Sequence, residues 1–418
     1  MAAAIDHRTL AVFMTNHLPA SSPALRNIWI VLGILLIAAN LRGPMTAVAP
    51  LLDDIQRHFN LSAAGAGMMT SLPLLILALV SPLCAPLAFR LGLERVLFIG
   101  LVAIVGGVAL RSGGALLALF SGTALIGVGI AIGNVLLPAL VKRDFPEKLA
   151  LLTSGYALTM GVAAALMSAI AIPLADGAGL GWQLALCSAG VLAVAALLVW
   201  LPRLRDSRTA AADTPAPTAK KPLWRYPLAW QVTLFMGLNS FVYYTFISWL
   251  PGILQASGYP AAEAGRLHGL MQLASACPGI ILMALLHRMN DQRLLVLLAC
   301  LTEMAGILGL LFYPQQALVW SLVFGFGNGA TFILALSFIG LRSSNAVQAA
   351  SLSGLAQCVG YLLAAFGPSL MGWVYDRGGS WDGPLIICST LVVAITVFGL
   401  LAGRALQIPD ESPPPSCP

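Results

Sequence analysis

Arg42 is the residue whose chemistry is hardest to reconcile with its surroundings. It stands inside the apolar run 27–51, about fifteen residues in, which as a helix places it about 22 Å along the axis. An arginine at that depth in lipid costs about 2.5–3.5 kcal/mol on insertion scales, so it faces a cavity or a partner. Its guanidinium offers five donors in a planar fork and does not give up its proton. It therefore suits an anion or an acceptor such as a nitro group and cannot itself carry protons. The competing reading is a bond to backbone carbonyls of a neighbouring helix, or a snorkel outward.

A second cluster lies in 227–254. Asn239 and Tyr243 are spaced i, i+4, and Ser240, Tyr244 and Ser248 repeat at the same interval. Together they make one polar-aromatic stripe with Trp249 near its end. Trp249 alone is equally explained as an interfacial aromatic. His268 with Gln272 and Gln357 with Tyr361 form further i, i+4 pairs, as do Tyr156 and Met160. His268 titrates in the right range for a proton relay, although a lone histidine is more often simply hydrogen-bonded. Glu303 lies in the middle of another apolar run and reads as a proton carrier, a partner for a polar group or, preferably, a neutral buried acid. Apart from Glu303 no acid lies deep in an apolar run, so the interior is neutral to positive. That disfavours a cationic substrate and favours a small anion or an uncharged polar aromatic.

The elements that must carry these residues are membrane helices. Of the 418 residues 59% are hydrophobic and 9% charged, with mean hydropathy +0.89, where a soluble domain carries about 25% charge. This excludes a cytosolic enzyme, a nucleic-acid binder and a disordered chain. The net charge of +6 sits in short loops between apolar runs, which marks orientation and implies no nucleic-acid partner. Six of the seven cysteines lie in apolar runs without metal-type spacing, and no HExxH, GxSxG or P-loop pattern occurs, so neither an enzyme, a metal site nor a cofactor is expected. The first 24 residues do not read as a signal peptide.

A bilayer core needs about 20 apolar residues per helix. Twelve spans satisfy it: 27–51, 66–88, 95–111, 115–141, 149–174, 182–202, 227–254, 262–286, 293–313, 317–341, 346–374 and 384–403. A tail (1–26) precedes a first six-helix bundle (27–202). A polar, Pro/Ala-rich linker (203–226) leads to a second bundle (227–403) and a final tail (404–418). With both tails on the cytoplasmic side of an inner membrane, 17 of the 22 basic residues fall on that side, as the positive-inside rule requires. The lipid bilayer and a small-molecule substrate are the expected partners, with the chain a monomer.

The two halves repeat. Gly67, Arg90, Arg95, Gly127 and Gly129 recur 198 residues later as Gly265, Arg288, Arg293, Gly325 and Gly327, and Asn40, Ser154, Gly155 and Gly161 recur 199 later as Asn239, Ser353, Gly354 and Gly360. Six spans per half make this a parallel repeat, with a substrate site expected between the halves near mid-membrane. Arg90 and Arg95, mirrored by Arg288 and Arg293, are candidates to tie helix ends across an inner gate; topology signalling is the rival account. The glycines of spans four and ten would let helices approach and slide.

On these features the chain resembles the major facilitator superfamily over essentially its whole length. The stretches SPLCAPLAFRLGLER (81–95), GNVLLPALVKRDFP (133–146), LAWQVTLFMGLNSFVYY (228–244) and HGLMQLASACPG (268–279) are similar to its cyanate/nitroimidazole transporter branch. The family's loop signature is kept at Arg90, Gly92 and Arg95, but Ala85 and Phe89 stand where Gly and Asp are usual. Thr123 replaces an arginine frequent in proton-coupled members, and Gly367-Pro368 lies in span eleven instead of a Gly-Pro in span five. The resemblance implies an all-α fold of two six-helix bundles, alternating access, and a cavity lined by spans one, four, seven and ten. That adds Asn40, Thr46, Asn134, Asn328 and Thr331 as candidates, each equally readable as interhelical glue. The expected function is export of a nitroimidazole-like heterocycle, with uptake of a small anion such as cyanate as the alternative and a membrane-embedded enzyme or receptor as the alternative of another class.

Overall fold

The computed structural model describes residues 23–61, 63–177, 181–204 and 222–409, and among them every regular element is helical. Most of the first tail, most of the linker and residues 410–418 lie outside the described residues. Backbone amides have no water to bond in lipid, so each apolar run closes its hydrogen bonds within itself as a helix. The long helices are α1 (Pro23–Asn40), α2 (Ala63–Leu91), α3 (Leu93–Arg111), α4 (Leu116–Asp144), α5 (Leu149–Ile172) and α6 (Gly181–Cys187 continuing as Ala189–Trp200). The second set is α7 (Pro227–Ala256), α8 (Ala261–Ala276 continuing as Pro278–Leu285), α9 (Arg293–Phe312), α10 (Ala317–Leu341), α11 (Ala346–Gly378) and α12 (Asp382–Ala402).

Eleven spans among the described residues are long and apolar enough to cross a bilayer. The twelfth, α7, has the length at 30 residues, but Gln231, Asn239, Ser240, Tyr243, Tyr244 and Ser248 dilute its hydropathy. The polar stripe that marks α7 in the sequence is what sets it apart from the other helices.

Three helices are broken where the sequence reading ran them straight. The first span was expected as one piece over 27–51. Instead α1 stops at Asn40, turns through Leu41–Arg42, and resumes as a short helix, Gly43–Thr46, and a 3-10 turn, Ala49–Leu51. Pro44 and Pro50 explain this, since proline supplies no amide and restricts the residue before it. Pro278 breaks α8 for the same reason. In α6 the break falls at Ser188, whose hydroxyl donates to the Ala185 carbonyl at 2.6 Å.

Glycine seams hold neighbouring helices at short distance. A Cβ on Gly129 would collide with the Gly100 carbonyl of α3, and one on Gly327, its counterpart in the repeat, with the Glu303 backbone of α9. The repeat also extends to charges. Arg143 on α4 donates to Glu94 on α3 at 2.5 Å, and 199 and 198 residues on, Arg342 donates to Gln292. The second half keeps the clamp with an amide in place of the carboxylate.

Several contacts between the halves lie toward the linker side, where α6 ends and α7 begins. There Gly354 of α11 lies against Ser81 of α2, Gly340 of α10 against Leu149 of α5, and Gly279 of α8 against Leu158 of α5. Nearer the opposite side, Gly265 and Gly269 of α8 have open space where a side chain would be.

Candidate functional site

Arg42 sits in the α1 break, N-terminal to Gly43–Thr46. A strut holds that break: Arg111, fully buried at the end of α3, donates from Nη1 to the Pro44 carbonyl at 2.8 Å. Released from regular helix, the Arg42 side chain reaches out of its own bundle to the other half. Its guanidinium carbon lies 4.8 Å from the centre of the Phe332 ring on α10 and 5.2 Å from that of Tyr243 on α7. Tyr244 and Tyr361 are also near enough to interact with it electrostatically. Tyr243 meets Tyr244 edge-on at 5.2 Å, and Tyr244 meets Tyr361 at 6.4 Å. Arg42 takes part in no ion pair among the described residues, and it is only partly buried where α1 on either side of the break packs tightly.

A narrow pocket lies beside it, bordered by Ala157 and Gly161 of α5, Tyr243, Ser275 and Ala276 of α8, and Asn328, Gly329, Phe332 and Ile333 of α10. Small residues from α5, α8 and α10 leave the space, and the rings of Tyr243 and Phe332 supply flat apolar walls. Its free space as it stands is about that of one water, so a planar molecule with an acceptor turned to the guanidinium would enter only once the walls part. No cluster suited to a metal occurs among the described residues.

The other expected residues separate into three groups. Tyr243 lines the pocket, with Tyr244 and Tyr361 in the same aromatic cluster, while Asn239 backs the pocket by accepting from Asn328 Nδ2 at 3.0 Å. Asn134 and Tyr361 join the halves instead of facing the space: Asn134 Nδ2 donates to Tyr361 Oη at 3.1 Å, and Ser353 Oγ donates to the Asn134 carbonyl at 3.3 Å. Asn40, Thr46 and Trp249 are directed elsewhere. Asn40 donates to the carbonyls of Leu36 and Leu192, and the Thr46 hydroxyl is within reach of the Arg42, Gly43 and Ala164 carbonyls. Trp249 donates to Pro368 at 2.7 Å and packs on Trp381. Asn40 and Thr46 thus make interhelical bonds, the alternative the sequence left open for them, and Trp249 bonds α11.

His268 lies against the Ile247 backbone of α7, with its Nε2 buried and without a partner among the described residues. Gln272 stands one turn further along α8, partly buried. Gln357 is buried, and neither its Oε1 nor its Nε2 has a partner among the described residues. Glu303, on the outer helix α9, reaches inward to Asn328 at 2.9 Å and Thr331 at 3.2 Å.

The four gate arginines make no bond between the halves. Arg293 pairs with Asp291, whose carboxyl is held below its usual range by that hydrogen bond, and Arg288 Nε contacts His287. Arg90 and Arg95 have no hydrogen bond or ion pair among the described residues. The basic residues that do clamp helix ends are Arg143, Arg203 and Arg342. Arg203 bonds Asp144 at 2.6 Å, and Arg342 Nε donates to the Ala402 carbonyl at 2.7 Å. For Arg143 and Arg203 the acidic neighbours Glu94 and Asp144 were the available signal in the sequence. Phe332 and Ser275 were missed as well. Phe332 follows Asn328 by one turn, which is the spacing that could have found it.

A family profile described as Major Facilitator Superfamily matches residues 30–365. The chain belongs to the major facilitator superfamily. It is 52% identical over 379 residues to the 2-nitroimidazole transporter of Escherichia coli (strain K12), covering 91% of this chain and 96% of that one. The cyanate transport protein CynX of the same organism is 28% identical over 372 residues, covering 88% and 96%. Among solved structures, the proton:xylose symporter XylE bound to 6-bromo-6-deoxy-D-glucose matches with a TM-score of 0.75 at 14% identity, over 92% of this chain and 98% of that one. That last likeness speaks to the fold alone. As a superfamily member the chain is a multi-pass membrane transporter, and the space between its two halves is where its substrate site is sought.

Proposed function

We propose that this transporter exports a small, uncharged, nitroimidazole-like heterocycle across the inner membrane by alternating access, as a monomer with both termini in the cytoplasm. The observation that carries this reading is the Arg42 guanidinium, without an ion pair among the described residues and set near the Tyr243 and Phe332 rings beside a pocket bordered by no carboxylate among them. A flat ring stacks on the aromatic walls while its nitro oxygens accept from the guanidinium fork. The 52% identity to a 2-nitroimidazole transporter supports the same substrate class. The basic residues on the linker side support the orientation.

Uptake of a small anion such as cyanate is the second reading, favoured by the absence of a counter-charge for Arg42. The aromatic walls favour the heterocycle, because a linear triatomic ion gains nothing from them. Counterflow of labelled 2-nitroimidazole into proteoliposomes, with cyanate as the competing load, decides between the two. Accumulation of unchanged 2-nitroimidazole is expected. Exchange of cyanate without exchange of the heterocycle would overturn the proposal.

A further inference from the structure

Asn328 has two amide hydrogens, and both are spent. Its Nδ2 donates to Glu303 Oε1 at 2.9 Å and to Asn239 Oδ1 at 3.0 Å. Glu303 is fully buried, and its other oxygen meets the Thr331 hydroxyl at 3.2 Å. Those contacts fix which way the amide faces. With Glu303 Oε1 accepting, turning it over would set the Asn328 oxygen against that oxygen and lose the bond. The atom left for the pocket is Asn328 Oδ1, which accepts no hydrogen bond among the described residues, and Asn328 borders the same pocket as Arg42. Arg42 can only donate, and this oxygen can only accept. The pocket therefore has two poles of opposite hydrogen-bonding sense, one on α1 and one on α10.

We infer that Asn328 Oδ1 is a specificity-determining contact that selects rings bearing an N–H in addition to an acceptor, and that Glu303 and Asn239 are positioning residues that hold its amide in the selecting orientation. This deepens the heterocycle reading and rests on it. The ring N–H of 2-nitroimidazole, on the atom next to the carbon that bears the nitro group, meets Asn328 while the nitro group meets Arg42, since both residues border the same pocket. A substrate with acceptors alone leaves the Asn328 oxygen desolvated and unmet, which a buried polar site penalises more than it rewards a good fit. Glu303, placed on a helix that does not border the pocket, thereby acts on the substrate through its neighbour.

The test is calorimetric titration of the purified full-length protein with 2-nitroimidazole, 1-methyl-2-nitroimidazole and 2-nitrofuran. The furan is a five-membered ring of similar shape without an N–H, so it controls for the bulk of the methyl group. Wild type is expected to bind 2-nitroimidazole about 10-fold to 100-fold more tightly than either of the others. Asn328→Ala should bring the three affinities together. Glu303→Gln, which still offers an oxygen to Asn328 Nδ2, should keep the preference, and Glu303→Leu should lose it. General loosening of the fold would weaken all three ligands and leave their ratio unmoved. Equal binding of the three by wild type, or a preference that survives Asn328→Ala, overturns the inference and leaves the heterocycle reading standing. Retention of the preference in Glu303→Leu removes Glu303 as a positioning residue. Binding of none of the three by wild type overturns both.

Discussion

Asn134 Nδ2 donates to Tyr361 Oη at 3.1 Å, joining α4 of the first bundle to α11 of the second. A bond between the halves can persist only while they are closed at that level, so it favours one conformation over the other. Tyr361→Phe removes the acceptor and a net stabilisation of about 1 kcal/mol. The linker-side-open population should rise about fivefold. Spin labels at positions 147 and 290, on linker-side loops of the two bundles, would report it as a longer-distance component. An unchanged distance distribution would show that the bond does not bias the equilibrium.

Arg42→Ala should abolish counterflow with expression near normal, because the side chain borders the pocket and makes no hydrogen bond or ion pair among the described residues. Arg42→Lys separates charge from shape. Lysine keeps the positive charge but loses the planar fork that lies between Tyr243 and Phe332, contacts of about 0.5–2 kcal/mol each. Exchange should fall at least about tenfold. A lysine variant that transports at the wild-type rate would mean the site reads charge alone.

The glycines are not equivalent. A Cβ on Gly329 would run into the Ser275 backbone carbonyl, whereas one on Gly269 meets open space. Gly329→Ala should cost about 1–3 kcal/mol of overpacking and lower the melting temperature. Gly269→Ala should leave it unchanged or raise it, since alanine is the better helix former. Equal melting temperatures for the two variants would contradict the packing of α8 on α10.

The clamp at the linker side gives a paired comparison. Glu94 receives Arg143, while its counterpart Gln292 receives Arg342. Glu94→Gln therefore imports the arrangement of the second half and should be nearly neutral. Glu94→Ala removes the acceptor and should cost about 1–3 kcal/mol. Thermal melting of the two variants in detergent checks the order; equal losses would make the negative charge the important feature.

Much of this molecule was legible in its residues because lipid imposes so strong a rule. Apolar runs, the glycines and the paired halves followed from hydropathy and spacing, and Arg42 stood out because a guanidinium in hydrocarbon needs a reason. What spacing does not supply is the direction in which a helix face points once twelve helices are packed. Asn40 and Asn328 are both asparagines in cavity-adjacent helices. One bonds the α6 backbone, and the other borders the pocket. The break in α1 was visible as Gly43-Pro44 but was read as part of a continuous span, and with it the means by which Arg42 leaves its own bundle. Among the arginines, placement beside short loops singled out Arg90 and Arg95, whereas an acidic neighbour in space singles out Arg143 and Arg203.

The polypeptide beyond α12 does not simply trail away. Ile408 NH donates to the Arg342 carbonyl at 2.8 Å, its own carbonyl accepts from Ser344, and Gln348 reaches the Pro409 carbonyl at 3.2 Å. This strap crosses the turn between α10 and α11, the two helices that carry Asn328 and Tyr361. Trimming the chain back to Gly403 would thus loosen the turn that joins α10 to α11, while an affinity tag or fluorescent reporter fused after Pro409 would leave those bonds in place.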